Sequence, residues 1–190
     1  MRLFVAIAPP PAVLDELEDA VAPLRPAWPA LRWTGREAWH VTLAFLGEVS
    51  EDTAAALRPR LERAAHRHPG LSLSFGACGA FPAPRHAKVV WTGIRGDHRA
   101  LEALARSVAA GARRAGAPPP DEGRRFRPHL TLARCRAPAD VASLVDALAS
   151  YGGTSWTAGE IHLIRSYLPT EAGRQPRYEV AGTWPLRSQP

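Results

Sequence analysis

The amino-acid sequence predicts an α+β fold of mainly antiparallel sheet, arranged as two pseudo-symmetric lobes with helices outside and a central groove. Three observations carry that prediction. Short apolar runs with the period-2 alternation of strands recur along the 190 residues. They come in hairpin-like pairs, interrupted by only a few stretches of helical periodicity. One pattern, His-x-Thr-Leu, occurs twice, at residues 40–43 and 129–132, about half a chain apart. Each copy is followed by a helix and further strands. Residues 1–190 therefore read as a single domain of two interleaved lobes, each contributing one such strand.

Arg2 to Ala8 alternates and reads as a first strand, which Pro9, Pro10 and Pro11 break. The prolines can open a helix, and Val13, Leu14, Leu17, Val21 and Leu24 recur at its spacing. Residues 31–34 and 39–46 read as strands. Ser50 is a candidate N-cap for a helix running toward His68, which Pro59 should kink or delay. Residues 71–75 and 88–94 are strands separated by a Gly/Pro loop from Cys78 to Arg85. Asp97 is positioned to cap a helix that turns Leu101, Leu104 and Val108 inward and that Gly116 ends. Residues 117–125 (APPPDEGRR) form an irregular loop. Residues 127–134 are the second histidine strand. Val141, Leu144, Val145 and Leu148 mark another helix, and Trp156, residues 160–168 and residues 178–184 supply the last strands.

A hydrophobic fraction of 46% supports a packed core and excludes wholesale disorder. No stretch approaches the roughly 20 apolar residues of a membrane span. Residues 1–11 lack the charged start, long apolar segment and cleavage site of a secretion signal, so the expected location is cytoplasmic, away from membranes. Cys78 and Cys135 form no CxxC pair and read as small buried apolar residues. The net charge is +6, and Lys88 is the single lysine. Arginine's planar fork suits phosphate and stacks on bases, so a polyanionic partner fits this balance. A coding bias toward Arg and Ala explains the composition as well, so only arginines placed at a site bear on function. No long exposed apolar stripe is evident, and a monomer is expected.

Alternate side chains share a face of a strand. His40 and Thr42 therefore point one way, and Val41 and Leu43 the other; His129 and Thr131 oppose Leu130 and Leu132 likewise. If a pseudo-twofold axis relates the lobes, both polar faces line one cleft and surround one small anionic group. That set meets the needs of cyclic phosphodiester hydrolysis. One imidazole deprotonates water and the other protonates the leaving oxygen, with one neutral and one charged near neutral pH. The threonine hydroxyls can donate to the non-bridging oxygens as charge builds there. No third or fourth ligand lies at a zinc-site spacing near either histidine, so neither metal nor cofactor is expected.

At these residues the sequence resembles the two-histidine (2H) phosphoesterases, and more closely the LigT-like RNA 2',3'-cyclic phosphodiesterases, also called 2'-5' RNA ligases. The flanks agree: residues 39–47 (WHVTLAFLG) resemble the first motif block and residues 126–134 (FRPHLTLAR) the second. The Phe81-Pro82 loop, the 161–168 run containing Ser166 and the Tyr178 strand have the same look. The resemblance implies a bilobal fold with both histidines in a central groove. It implies hydrolysis of a terminal 2',3'-cyclic phosphate of RNA to a 2'-phosphate, and weak reverse 2'-5' ligation. His40 would be the general acid toward O3' and His129 the general base. It also implies phosphate contacts from Thr42, Thr131 and Arg134, because the second motif carries a basic residue at the last position.

Other candidates rest on position alone. Arg134 and Phe45 each lie five residues after a motif histidine, where strict alternation puts them on the opposite face unless a bulge intervenes. Phe45 could stack a base or belong to the core. Arg124, Arg125 and Arg127 could guide the RNA backbone, and Arg85 and Lys88 could line the same groove. Two alternatives remain. One is a phosphodiesterase for a small cyclic nucleotide, an ADP-ribose cyclic phosphate or a 2'-5' oligonucleotide. The other is an RNA-binding module without catalysis, against which the intact histidines and threonines argue.

Overall fold

The computed structural model describes residues 1–120, 125–169 and 175–188; Arg124 and the middle of the 117–125 loop lie outside them. In chain order the elements are β1 (Arg2–Ile7), α1 (Pro11–Val21), β2 (Leu31–Trp33), β3 (Val41–Glu48), α2 (Glu51–His66), β4 (Leu71–Phe81), β5 (Ala87–Gly96), α3 (His98–Arg114), β6 (His129–Ala139), α4 (Ala142–Ala147), β7 (Trp156–Ala158), β8 (Glu160–Tyr167) and β9 (Arg177–Pro185). The strands form two antiparallel sheets, ordered β3-β1-β8-β9 and β2-β6-β5-β4-β7. The α+β, mainly antiparallel class is the one the sequence predicts. The two sheets exchange hairpins: the β4–β5 hairpin that follows the first histidine motif pairs beside β6, and the β8–β9 hairpin that follows the second pairs beside β1.

One contiguous apolar cluster runs through both sheets and their helices. Helices α2 and α3 pack on each other and over β9 and β3, while α4 lies against β4. Ser50 caps α2 by accepting from the Thr53 amide at 3.2 Å. The helix runs through Pro59; that residue and Ala55, whose carbonyl lacks the donor Pro59 cannot supply, are both exposed. Helix α3 ends with the Ala117 amide donating to the Ala112 carbonyl (2.9 Å) and the Gly116 amide to the Arg113 carbonyl (3.0 Å). This closure needs the left-handed backbone at Gly116 (φ 87°).

Three local expectations are corrected. Cys78 to Phe81 belong to β4 rather than to a loop. A bulge at Ala77 (φ 59°) shifts the register after Gly76 pairs with Gly93, and pairing resumes at Cys78 with Thr92. The Thr92 hydroxyl donates to the Ala77 carbonyl (3.1 Å), so the bulge leaves no orphan there. Asp97 precedes α3 but makes no side-chain cap; its carboxylate accepts from the Ser72 amide (2.8 Å), fastening the helix start to β4. Finally, β3 begins after Trp39 and His40, and β6 begins at His129 and continues to Ala139.

Candidate active site

The two motif strands lie in different sheets, and each carries a bulge at its motif leucine. Ala6 pairs with Thr42 and Val5 with Ala44, which leaves Leu43 over. Trp91 pairs with Thr131 and Val90 with Ala133, which leaves Leu132 over. One extra residue reverses the alternation that follows it. Phe45 and Arg134 therefore return to the face of the histidine and threonine, and both line the cleft. Leu43, Ala44, Leu132 and Ala133 all stay buried. Thr34 satisfies the carbonyls around the second bulge: its amide donates to Leu132 O (2.9 Å), and its hydroxyl lies 2.7 Å from Thr131 O and 2.9 Å from Leu132 O. The Trp39 indole donates to that same hydroxyl oxygen at 3.0 Å.

The cleft has a volume of about 360 Å³. His40, Thr42 and Phe45 come from one sheet and His129, Thr131 and Arg134 from the other. Sequence reasoning missed Arg2, Phe4 and Thr34 as lining residues and did not single out Ser166 or Tyr178 as site candidates. A signal existed for two of them. Arg2 and Phe4 share one face of β1 while Leu3, Val5 and Ile7 fill the other, so a charge stands on the face that turns toward the motif. The Arg2 guanidinium sits over the Phe45 ring, 4.7 Å from its centre. Among the described residues no Asp or Glu lines the cleft.

Each imidazole is held by aromatic rings. His40 stacks on Phe4 (centroids 4.9 Å apart) and meets the edge of Tyr178 at 5.2 Å. His129 meets Phe81 edge-on at 5.1 Å, and the Phe81 ring packs on Trp91 at 5.2 Å. His129 Nδ1 lies 2.7 Å from the Arg127 carbonyl oxygen. A carbonyl only accepts, so Nδ1 carries the proton and the neutral ring keeps its lone pair on Nε2. Burial, and secondarily His162, pushes His40 down to about 4. Burial also lowers His129, opposed by the Arg127 carbonyl and aided by Arg134. Burial therefore favours the neutral form of each imidazole. Both cations lose water on burial, and neighbouring positive groups oppose them further.

The remaining candidates are placed as follows. Arg125 and Arg127 line an adjoining groove rather than this cleft. Arg85 and Lys88 are exposed and line neither cavity. His162 is a buried histidine of β8, bonded to the Thr183 hydroxyl at 3.0 Å. His68 bonds Ser107 at 2.8 Å. Cys78 and Cys135 are free and half-buried.

Gly79 matters to the site through Trp91, its cross-strand partner. A Cβ at Gly79 would collide with the Trp91 indole, which supports Phe81 and, through it, His129. Gly79→Ala is expected to cost about 1–3 kcal/mol of stability by overpacking, measured by denaturant unfolding. An unchanged midpoint would mean that the indole moves aside freely.

Residues 9–168 match the sequence profile of the 2'-5' RNA ligase superfamily. An Aeropyrum pernix protein named RNA 2',3'-cyclic phosphodiesterase is 35% identical over 129 residues, covering 68% of this chain and 71% of that one. The crystal structure of Escherichia coli LigT complexed with 3'-AMP superposes with a TM-score of 0.77 at 31% identity, over 97% of both chains. A crystal structure of a Thermus thermophilus protein superposes at 0.81 with 26% identity over the full length of both. With a profile match across most of its length and a doubled histidine motif converging on one cleft, this chain belongs to the 2'-5' RNA ligase superfamily.

Proposed function

We propose that this protein hydrolyses the terminal 2',3'-cyclic phosphate of RNA to a 2'-phosphate, with His40 as general acid and His129 as general base. The observation that carries this reading is the convergence of two imidazoles, two threonine hydroxyls and Arg134 on one cleft free of carboxylates among the described residues. The proton on His129 Nδ1 supports its role as base, since it leaves Nε2 free to accept. Relatives named RNA 2',3'-cyclic phosphodiesterase, and the 3'-AMP bound by LigT, support a nucleotide phosphate as ligand.

In this reaction a water oxygen attacks phosphorus while His129 Nε2 takes its proton. The P–O3' bond breaks and His40 gives its proton to O3'. Thr42, Thr131 and the Arg134 guanidinium donate to the non-bridging oxygens, where charge accumulates. The product is the 2'-phosphate; His129 leaves charged and His40 neutral, and solvent restores both. A 5'-hydroxyl in place of water would give a 2'-5' linkage by the same route, a minor reaction in water.

The low proton affinity of the two imidazoles has a consequence for pH dependence. The active form needs His40 protonated and His129 neutral, and both groups titrate below 6.5 before substrate binds. A profile of kcat/KM reports the free enzyme, so its maximum is expected on the acid side of 6.5. Its limbs belong to the coupled pair rather than to either residue. The bound phosphate's negative charge raises both groups, so the kcat profile should sit at higher pH than that of kcat/KM. A kcat/KM maximum well above pH 7 would contradict the burial argument.

The test of the function itself is incubation of the purified protein, in excess EDTA, with a short RNA ending in a 2',3'-cyclic phosphate. Gain of one water and a product phosphate removable by phosphatase are expected. RNA that binds without turning over would instead support a non-catalytic module.

A further inference from the structure

We infer that the groove on the far side of His129 holds the single-stranded body of the RNA, and that Arg106 of α3 joins Arg125 there in gripping its backbone. This rests on the proposed reaction and extends it to how an oligonucleotide is told from a mononucleotide. The groove, about 850 Å³, is continuous with the catalytic cleft: Thr42, Phe45 and His129 line both. A strand whose cyclic phosphate lies between the histidines thus has a channel for the nucleotides that precede it.

The groove's chemistry fits that occupant. The groove is lined by α3, which contributes Arg106 and Arg113, and by the segment entering β6, with Arg125 and Arg127. All four arginines are exposed, and no Asp or Glu among the described residues lines the groove. A phosphodiester chain lying in the groove meets positive charge from both segments. Three phenylalanines, Phe45, Phe81 and Phe126, line it as well. The Arg127 guanidinium lies 5.8 Å from the Phe81 ring centre, so ring and cation form one platform beside His129. Aromatic faces interleaved with basic side chains are the means by which proteins hold single strands without reading base edges. Ala105 and Ala109, one turn apart on α3, keep the channel open where a larger side chain would close it.

Sequence reading alone could nominate Arg125 and Arg127, from their place before the second motif. It had no means of finding Arg106, which lies on a helix whose periodicity marks only its buried face.

The test compares two substrates, a 2',3'-cyclic mononucleotide and an eight-nucleotide RNA ending in the same cyclic nucleotide. It uses the unaltered protein, the double variant Arg106→Gln/Arg125→Gln, and Ala109→Glu, which puts a carboxylate into the channel. For each variant, kcat/KM on the RNA should fall about tenfold further than on the mononucleotide. The slope of log KM against log salt for the RNA should shrink by roughly 0.7 for each arginine removed. Equal losses on both substrates, or no loss on the RNA, would overturn the inference. Failure of the unaltered protein to turn over either substrate would strike the proposed reaction instead, and the groove with it.

Discussion

Replacing either cleft histidine by alanine should lower turnover of an RNA 2',3'-cyclic phosphate by at least about two orders of magnitude, the scale of lost acid–base catalysis. The two losses have different origins. His129→Ala removes Nε2, the acceptor that the bond from Nδ1 to the Arg127 carbonyl leaves available. His40→Ala removes the acid and leaves Phe4 and Tyr178 facing a small void. Because burial already holds His40 near 4, its neutral form is the resting state, and among the described residues its removal takes no salt bridge from the fold. Thermal unfolding should therefore separate the two effects, with activity collapsing while the melting temperature moves by only a few degrees. Wild-type rates in either variant would exclude that histidine from the chemistry.

Thr42→Val and Thr131→Val should each cost about two orders of magnitude in kcat, the usual effect of deleting a donor aimed at developing charge. Valine keeps the branched shape and removes only the hydroxyl. Both threonines line the cleft without a hydrogen-bond partner for the hydroxyl among the described residues, so their donors are free for a ligand. The loss should fall in kcat more than in KM, because the non-bridging oxygens gain charge only as the new bond forms. A rise in KM with kcat unchanged would make the hydroxyls ground-state contacts.

How much of this was legible beforehand depends on what the local chain can encode. The doubled His-x-Thr-Leu pattern was visible because strand alternation puts His and Thr on one face at any position in a sheet. The antiparallel class followed from short alternating runs. The bulges at Leu43 and Leu132 were not visible, since nothing in leucine distinguishes an inserted residue from a paired one; they arise from the partners' register. For that reason Phe45 and Arg134 could be named but not placed. Ser166 and Tyr178 enter the cleft from strands remote in sequence, through sheet order alone, and Thr34 enters from the end of β2, which pairs with β6. The depressed proton affinity of both histidines was likewise out of reach, because it depends on burial and on His162 and Arg134 as neighbours. The Cys78–Arg85 stretch reads as a loop because glycines at 76 and 79 resemble turn residues, whereas here they make room for the Arg95 side chain and the Trp91 ring.

The division of labour between the histidines is tested most directly by a substrate whose 3' bridging oxygen is replaced by sulfur. A thiolate leaves without a proton, so the acid becomes dispensable while the base does not. His40→Ala should then recover most of its lost rate on the sulfur-bridged RNA, and His129→Ala should remain at least about two orders of magnitude below the unaltered protein. Recovery in His129→Ala with none in His40→Ala would contradict the assignment and exchange the two roles.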